Sequence, residues 1–112
     1  MAPHEVDRDT REQLLRAARD VLLDEGLAGF SLRKVAAQCG ISAPAIYRHF
    51  EDKDDLLAAA IQRGAALFTN YLLSALSEAT PRERLQQLGQ RYFRFAVENP
   101  RDYELIFVVR CM

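Results

Sequence analysis

Tyr47, His49 and Lys53 fall close together in the chain. Each offers a donor of the kind that binds a phosphate oxygen: a phenol hydroxyl, an imidazole N–H and an ammonium. Backbone-phosphate recognition is the chemistry such a group can carry. Lys53 adds a second argument, because it stands at the start of an expected helix. A helix N-terminus disfavours a cation by about 0.3–1 kcal/mol at an exposed position. A base set against that dipole needs another partner, and an external phosphate is one. Plainer roles exist for all three. Tyr47 could be a half-buried packing residue and His49 a solvated surface histidine, while Lys53 could offset Asp52, Asp54 and Asp55.

The charge pattern favours the phosphate reading. The chain has 112 residues and a formal net charge of −1, which by itself does not suggest nucleic acid. Residues 1–30 carry four basic and seven acidic side chains. Residues 31–53 reverse the balance, with Arg33, Lys34, Arg48 and Lys53 against Glu51 and Asp52. The remainder is neutral. A basic island in an acidic-to-neutral chain matters more for phosphate binding than the total.

Other chemistries find little support. No Ser/His/Asp or Cys/His set has local backing, no glycine-rich phosphate loop is present, and Asp54 and Asp55 are helix neighbours that point apart. No enzyme, metal or cofactor is expected. Cys39 and Cys111 have neither metal-ligand spacing nor the pattern of a disulfide framework. With 49% hydrophobic and 28% charged residues the composition is that of a folded soluble domain. The apolar run Leu105-Ile106-Phe107-Val108-Val109 is far shorter than the ~20 residues of a membrane span. His4 lies in an N-terminus without signal-peptide character, so a cytoplasmic protein away from the membrane is expected.

The elements that must position the donors read as helices throughout. Thr10-Arg11-Glu12-Gln13 has capping-box spacing, which starts a first helix at Thr10, with Leu14, Ala18, Val21 and Leu22 inward and Gly26 as its stop. Ser31 caps a second helix whose apolar face is Leu32, Val35, Ala36 and Cys39. Gly40 supplies a left-handed turn. Ser42 caps a third helix, with Ile41 and Ile46 at the spacing of a hydrophobic staple. Asp52 caps a long fourth helix with Leu57, Ile61, Gly64, Phe68, Tyr71, Leu72 and Ala75 on one face. Thr80-Pro81-Arg82-Glu83 starts a fifth, with Leu85, Leu88, Tyr92, Phe95 and Ala96 inward. Asn99-Pro100-Arg101-Asp102 starts a sixth. Two short helices, 32–38 and 43–49, joined by Cys39-Gly40-Ile41-Ser42, have the layout of a helix-turn-helix. In that motif the second helix enters the DNA major groove.

Ser31-Leu32-Arg33-Lys34-Val35-Ala36, Cys39-Gly40-Ile41-Ser42, Ile46-Tyr47-Arg48-His49-Phe50, and then Lys53 and Leu56 closely resemble the TetR family of transcriptional regulators. The resemblance covers roughly residues 8–60, and the Ile-Tyr-x-His-Phe-x-x-Lys-x-x-Leu string is more specific than a generic helix-turn-helix. Tyr92 to Pro100 resembles the opening of a family ligand-binding domain. The resemblance implies an all-α fold, with a DNA-binding domain over 8–55 (motif 31–50) joined by the long fourth helix to the first helices of a ligand-binding and dimerisation domain over 56–112, which would be incomplete. It implies DNA contacts from Arg33, Ser42, Ala43, Pro44, Tyr47, Arg48, His49 and Lys53, with Tyr47, His49 and Lys53 on phosphates. Val35, Ala36, Gly40, Ile41, Ile46 and Phe50 form the turn and core of the motif. Ala43-Pro44-Ala45 replaces the polar base readers common in the family, leaving apolar contact with thymine methyls from that turn and base hydrogen bonding to Arg33 and Arg48. The implied partners are a double-stranded palindromic DNA operator, a second copy in a homodimer, and a small-molecule effector that releases a repressor. A helical protein-interaction module that kept the fold without operator binding is the alternative.

Overall fold

The computed structural model describes the backbone of residues 3–107 and the side chains of residues 8–107. The His4 side chain, Val108, Val109 and Cys111 lie outside the described residues. Among the described residues the regular structure is entirely helical, as expected for an all-α fold. In chain order it comprises α1 (Pro3–Gly29), α2 (Leu32–Cys39), α3 (Ala43–Ile46), α4 (Lys53–Leu73), a 3-10 helix (Ser74–Ser77), α5 (Pro81–Glu98) and α6 (Pro100–Phe107). The chain divides into two compact units, residues 1–61 and 62–112.

The first unit is built on α1. Leu14, Ala18, Val21 and Leu22 recur at helical spacing and are buried. They share a core with Val35 and Ala36 of α2, Ile46 of α3, Phe50, and Leu56 of α4. Each large side chain buried there contributes about 1.5–3 kcal/mol. The start of α1 corrects the sequence reading. Thr10 is not an N-cap, because the helix already runs from Pro3. Nothing between His4 and Asp9 breaks a helix, and proline is tolerated in a first turn. The expected stop at Gly26 is a break within α1, with a last helical stretch to Gly29 beyond it. Gly26 has φ 75° and ψ 173°, a backbone conformation open to glycine.

The second unit is held by an aromatic cluster around Phe95 of α5, which is fully buried. Its ring centroid lies 5.0 Å from Phe68 and 5.4 Å from Tyr71. Phe68 also meets Phe107 of α6 edge-on at 5.4 Å. These distances are those of favourable aromatic pairs. α6 packs against α4 at Gly64, where a Cβ would stand 3.4 Å from Leu105 and 3.5 Å from the Asp102 carboxylate, ordinary van der Waals distances. Asp102 is buried and paired with Arg63 at 3.2 Å.

Two expected core residues of these helices are exposed. Ile61 is 37% exposed because the buried arc of α4 runs through Leu57, Ala60 and Gly64, and Ile61 falls to its side. Leu85 is 72% exposed because it sits in the early turns of α5, ahead of the aromatic cluster that begins at Tyr92.

The α5 start was legible: Thr80 Oγ1 accepts from the Glu83 N–H at 3.2 Å, with Pro81 leading the helix. A shallow, solvent-open groove of about 320 Å³ is lined by Leu67, Asn70, Tyr71, Ser74, Arg91, Arg94 and Glu98. Glu98 accepts from Tyr71 Oη at 3.3 Å, and the Tyr71 oxygen accepts from Asn99 at 3.0 Å. Arg91 Nε is buried and has no acceptor among the described residues.

Candidate nucleic-acid interface

The motif begins where the sequence placed it. Ser31 is in extended conformation and its Oγ accepts from the Lys34 N–H at 3.2 Å, capping α2. At the other end Gly40 adopts the left-handed conformation, φ 71° and ψ 29°. The Ile41 N–H then reaches the Ala36 carbonyl at 3.0 Å, and the Gly40 N–H reaches Ala37 at 3.2 Å. This pair of bonds is a Schellman stop, and it satisfies carbonyls that the helix end would leave open. The turn into α3 is thereby fixed by one glycine.

The second helix of the motif differs from the expected 43–49. Regular α-helix covers only Ala43–Ile46. Residues 47–49 close in tighter turns, with Tyr47 N–H on Pro44 O, Arg48 on Ala45 and His49 on Ile46. The winding is continuous, but its last turn is of 3-10 type, a common way for a helix end to satisfy its carbonyls.

Ser42 also departs from expectation. It occupies the N-cap position without a side-chain cap bond. An N-cap oxygen bonds the N–H of N2 or N3. Here N2 is Pro44, which has no N–H, and the N3 donor of Ala45 is already taken by the Ser42 carbonyl at 3.1 Å. The hydroxyl is therefore left on an exposed residue, free to face outward.

The motif separates cleanly into inside and outside. Val35, Ala36, Ile46 and Phe50 are buried, and Ile41 is half-buried. Arg33, Ser42, Pro44, Tyr47, Arg48 and Lys53 are exposed, and Ala43 and His49 are half-buried. Tyr47 is 58% exposed, which removes the packing role as its main one. Pro44 and Ala43 put small apolar groups, with no polar atom to desolvate, at the head of α3.

The start of α4 explains how Lys53 is tolerated. The Asp52 carboxylate accepts from the Asp55 N–H at 2.8 Å, and the Asp55 carboxylate accepts from the Glu51 N–H at 2.9 Å. Asp52 is thus a side-chain N-cap, and the Asp55 carboxylate reaches one residue further back than a capping box does, to the N–H ahead of the cap. The acidic side chains of this turn favour the positive end of the helix, and Lys53, the first residue of α4, stays exposed. Among the described residues the island of unpaired cations is smaller than the sequence suggests, because the exposed Lys34 has its charge paired at the surface. Its Nζ donates to the Gly29 carbonyl at 3.0 Å and pairs with Glu25 at 3.3 Å. Lys34 thus ties the end of α1 to α2, while Arg33, Arg48 and Lys53 remain as the outward cations.

One residue of this region was passed over in the sequence. Arg11 of α1 donates from Nη1 to the His49 carbonyl at 3.3 Å, and its guanidinium carbon stands 4.6 Å from the centre of the Phe50 ring. No sequence pattern links residues so far apart in the chain; only the fold joins them. Cys39 is also explained by packing: its thiol donates to the Gln13 carbonyl at 3.6 Å, and burial raises its pKa.

Comparison with known proteins agrees with this geometry. Residues 14–60 match the bacterial regulatory proteins of the tetR family. The HTH-type transcriptional activator FasR of Mycolicibacterium smegmatis is 33% identical over 88% of the chain, which spans 46% of that protein. An HTH-type transcriptional regulator of Staphylococcus aureus is 26% identical over 82% of the chain, which spans 50% of it. Among solved structures, a TetR-like regulator from Rhodococcus sp. RHA1 aligns with TM-score 0.80 and 32% identity, over 87% of this chain and 54% of that one. A TetR-family regulator from Marinobacter aquaeolei VT8 aligns with TM-score 0.83 and 26% identity, over 91% of this chain and 54% of that one. The chain thus spans about half the length of these relatives. With its helix-turn-helix built as described, the segment 14–60 is that of the tetR family of bacterial regulatory proteins, and the likeness to TetR-type regulators runs on through the helices that follow.

Proposed function

We propose that this chain is the DNA-binding part of a transcriptional regulator that recognises double-stranded DNA through the face formed by α2, α3 and the start of α4. The observation that carries the reading is the separation just described. Exposed Arg33, Ser42, Pro44, Tyr47, Arg48 and Lys53 stand on a buried footing of Val35, Ala36, Ile46 and Phe50. A rigid base under outward donors is what phosphate positioning requires. In this reading Tyr47, His49 and Lys53 bond phosphates. Arg33 and Arg48 supply hydrogen bonds to base edges, and Ala43 and Pro44 meet thymine methyls.

The regulator acts as a homodimer on a near-palindromic operator, with two recognition segments about one DNA turn apart or a multiple of it. A small-molecule effector bound in the second unit shifts operator affinity. The buried Arg91 Nε, without an acceptor among the described residues and beside an open groove, is what supports such a ligand. The names of the relatives support transcriptional regulation rather than catalysis.

Selection from a random duplex pool at low salt tests the reading. The expected outcome is an enriched sequence with inverted symmetry. Recovery of an unenriched pool, together with no retardation of any duplex, would reject it.

A further inference from the structure

We propose that Arg11 is a positioning residue for DNA binding, holding the end of the recognition segment against α1. The inference rests on the DNA-facing reading of α3 given above. Two contacts carry it. Arg11 Nη1 donates to the His49 backbone carbonyl at 3.3 Å, and the same guanidinium lies over the Phe50 ring at 4.6 Å. Phe50 is 3% exposed, so the ring is a fixed platform.

The part of the motif held in this way is the part that needs holding. α3 is regular only from Ala43 to Ile46, and residues 47–49 close with bonds to carbonyls three residues back. Such bonds have poorer geometry than those of an α-helix. Tyr47 and His49 both lie on this tight turn, and Lys53 follows a short link later. α1, by contrast, is anchored through Leu14, Ala18 and Leu22, each almost wholly buried. Arg11 therefore transfers the rigidity of α1 to the turn that carries the phosphate donors.

Arginine suits the task better than lysine. A planar guanidinium can stack on a ring with its face while donating in its own plane to the carbonyl beside that ring. An ammonium has no face to stack and cannot meet both partners in this geometry.

Because Arg11 is exposed, it also has to be told apart from a direct phosphate contact. The salt dependence does so. Removing a phosphate-binding cation makes the slope of log K against log salt shallower by about 0.9, whereas removing a positioning group leaves the slope in place.

The experiment uses the 112-residue chain and a fluorescein-labelled duplex taken from the random-pool selection. Affinity is titrated over a series of salt concentrations, well below the melting midpoint measured by circular dichroism for each protein. Arg11→Met keeps the apolar stem over Phe50 and removes the charge and the donor. It is expected to bind about tenfold more weakly, the combined size of one hydrogen bond and one cation–π contact, with the parent slope. Arg11→Lys is expected to bind as weakly as Arg11→Met, again with the parent slope.

Parent affinity in Arg11→Met at that temperature would overturn the proposal and leave a purely structural residue. Full recovery by lysine, or a slope shallower by about one contact, would overturn it in favour of a phosphate contact. Lys53→Ala, measured alongside, keeps the two readings distinguishable. A shallower slope there upholds the interface whatever Arg11 does. No duplex binding by the parent chain would remove the interface and this inference together.

Discussion

The exposed donors of the motif differ in what their removal should cost. Tyr47→Phe deletes only the hydroxyl from a side chain that is 58% exposed. The fold should persist and DNA affinity should fall by about 1 kcal/mol, the net size of one hydrogen bond; a fluorescence anisotropy titration reads this directly. Equal affinity for the two proteins would mean that the hydroxyl meets no phosphate. Arg33→Ala belongs to another kind. It should cost about 1–3 kcal/mol on the selected site and relax discrimination at one base pair, while a loss shared by all duplexes would reassign Arg33 to the backbone. At this scale the sequence revealed types better than directions. Arg33 and Lys34 are adjacent, exposed basic residues, yet Lys34 is already engaged. Lys34 is held by Glu25 and the Gly29 carbonyl, partners that exist only once α1 has packed beside α2. Arg11 was silent for the same reason.

Elements were legible wherever a local rule sets them. Ser31, Gly40, Asp52 and Thr80 each end or begin a helix through bonds reaching only a few residues, so the sequence suffices to find them. Gly40→Ala therefore makes a strong test of the turn. A methyl there meets no neighbour within 4 Å, so any cost is that of forcing φ 71° on an alanine. About 1–2 kcal/mol of stability should be lost in urea denaturation, and no loss would mean that the turn relaxes to another conformation.

What the sequence did not reveal were features set by competition or by long-range packing. The bare Ser42 cap follows from Pro44 lacking an N–H and Ala45 using its own, a coincidence of two bonds. The early start of α1 follows from an absence of breakers, which is a weaker signal than a cap. The Arg63–Asp102 pair joins α4 to α6 and left no local trace either. Arg63→Met should destabilise the chain by about 3 kcal/mol by leaving a buried carboxylate without this cation. An unchanged denaturation midpoint would show that other groups already satisfy Asp102.

For the molecule as a whole, composition hid the function. A net charge of −1 conceals a motif whose outward cations are Arg33, Arg48 and Lys53, and only their placement on one motif makes a field that a phosphate backbone would feel. The fold class was readable from periodicity and caps, since α2, α4 and α5 start at capping residues and α2 stops at a glycine. Coverage of the α5 surface was not readable. Leu85, Phe93 and Val97 are 72%, 69% and 79% exposed, although helical spacing alone sends Leu85 inward.

The central claim is that the face of α2, α3 and the start of α4 binds DNA through phosphates, and the salt dependence of duplex binding by the unsubstituted chain and by Lys53→Ala tests it most directly. The account predicts a linear fall of log K with log salt, with a slope of about −0.9 for each phosphate neutralised, and a slope shallower by about that amount in Lys53→Ala on selected and unselected duplexes alike. Binding that ignores salt, or identical slopes for the two proteins, would contradict it.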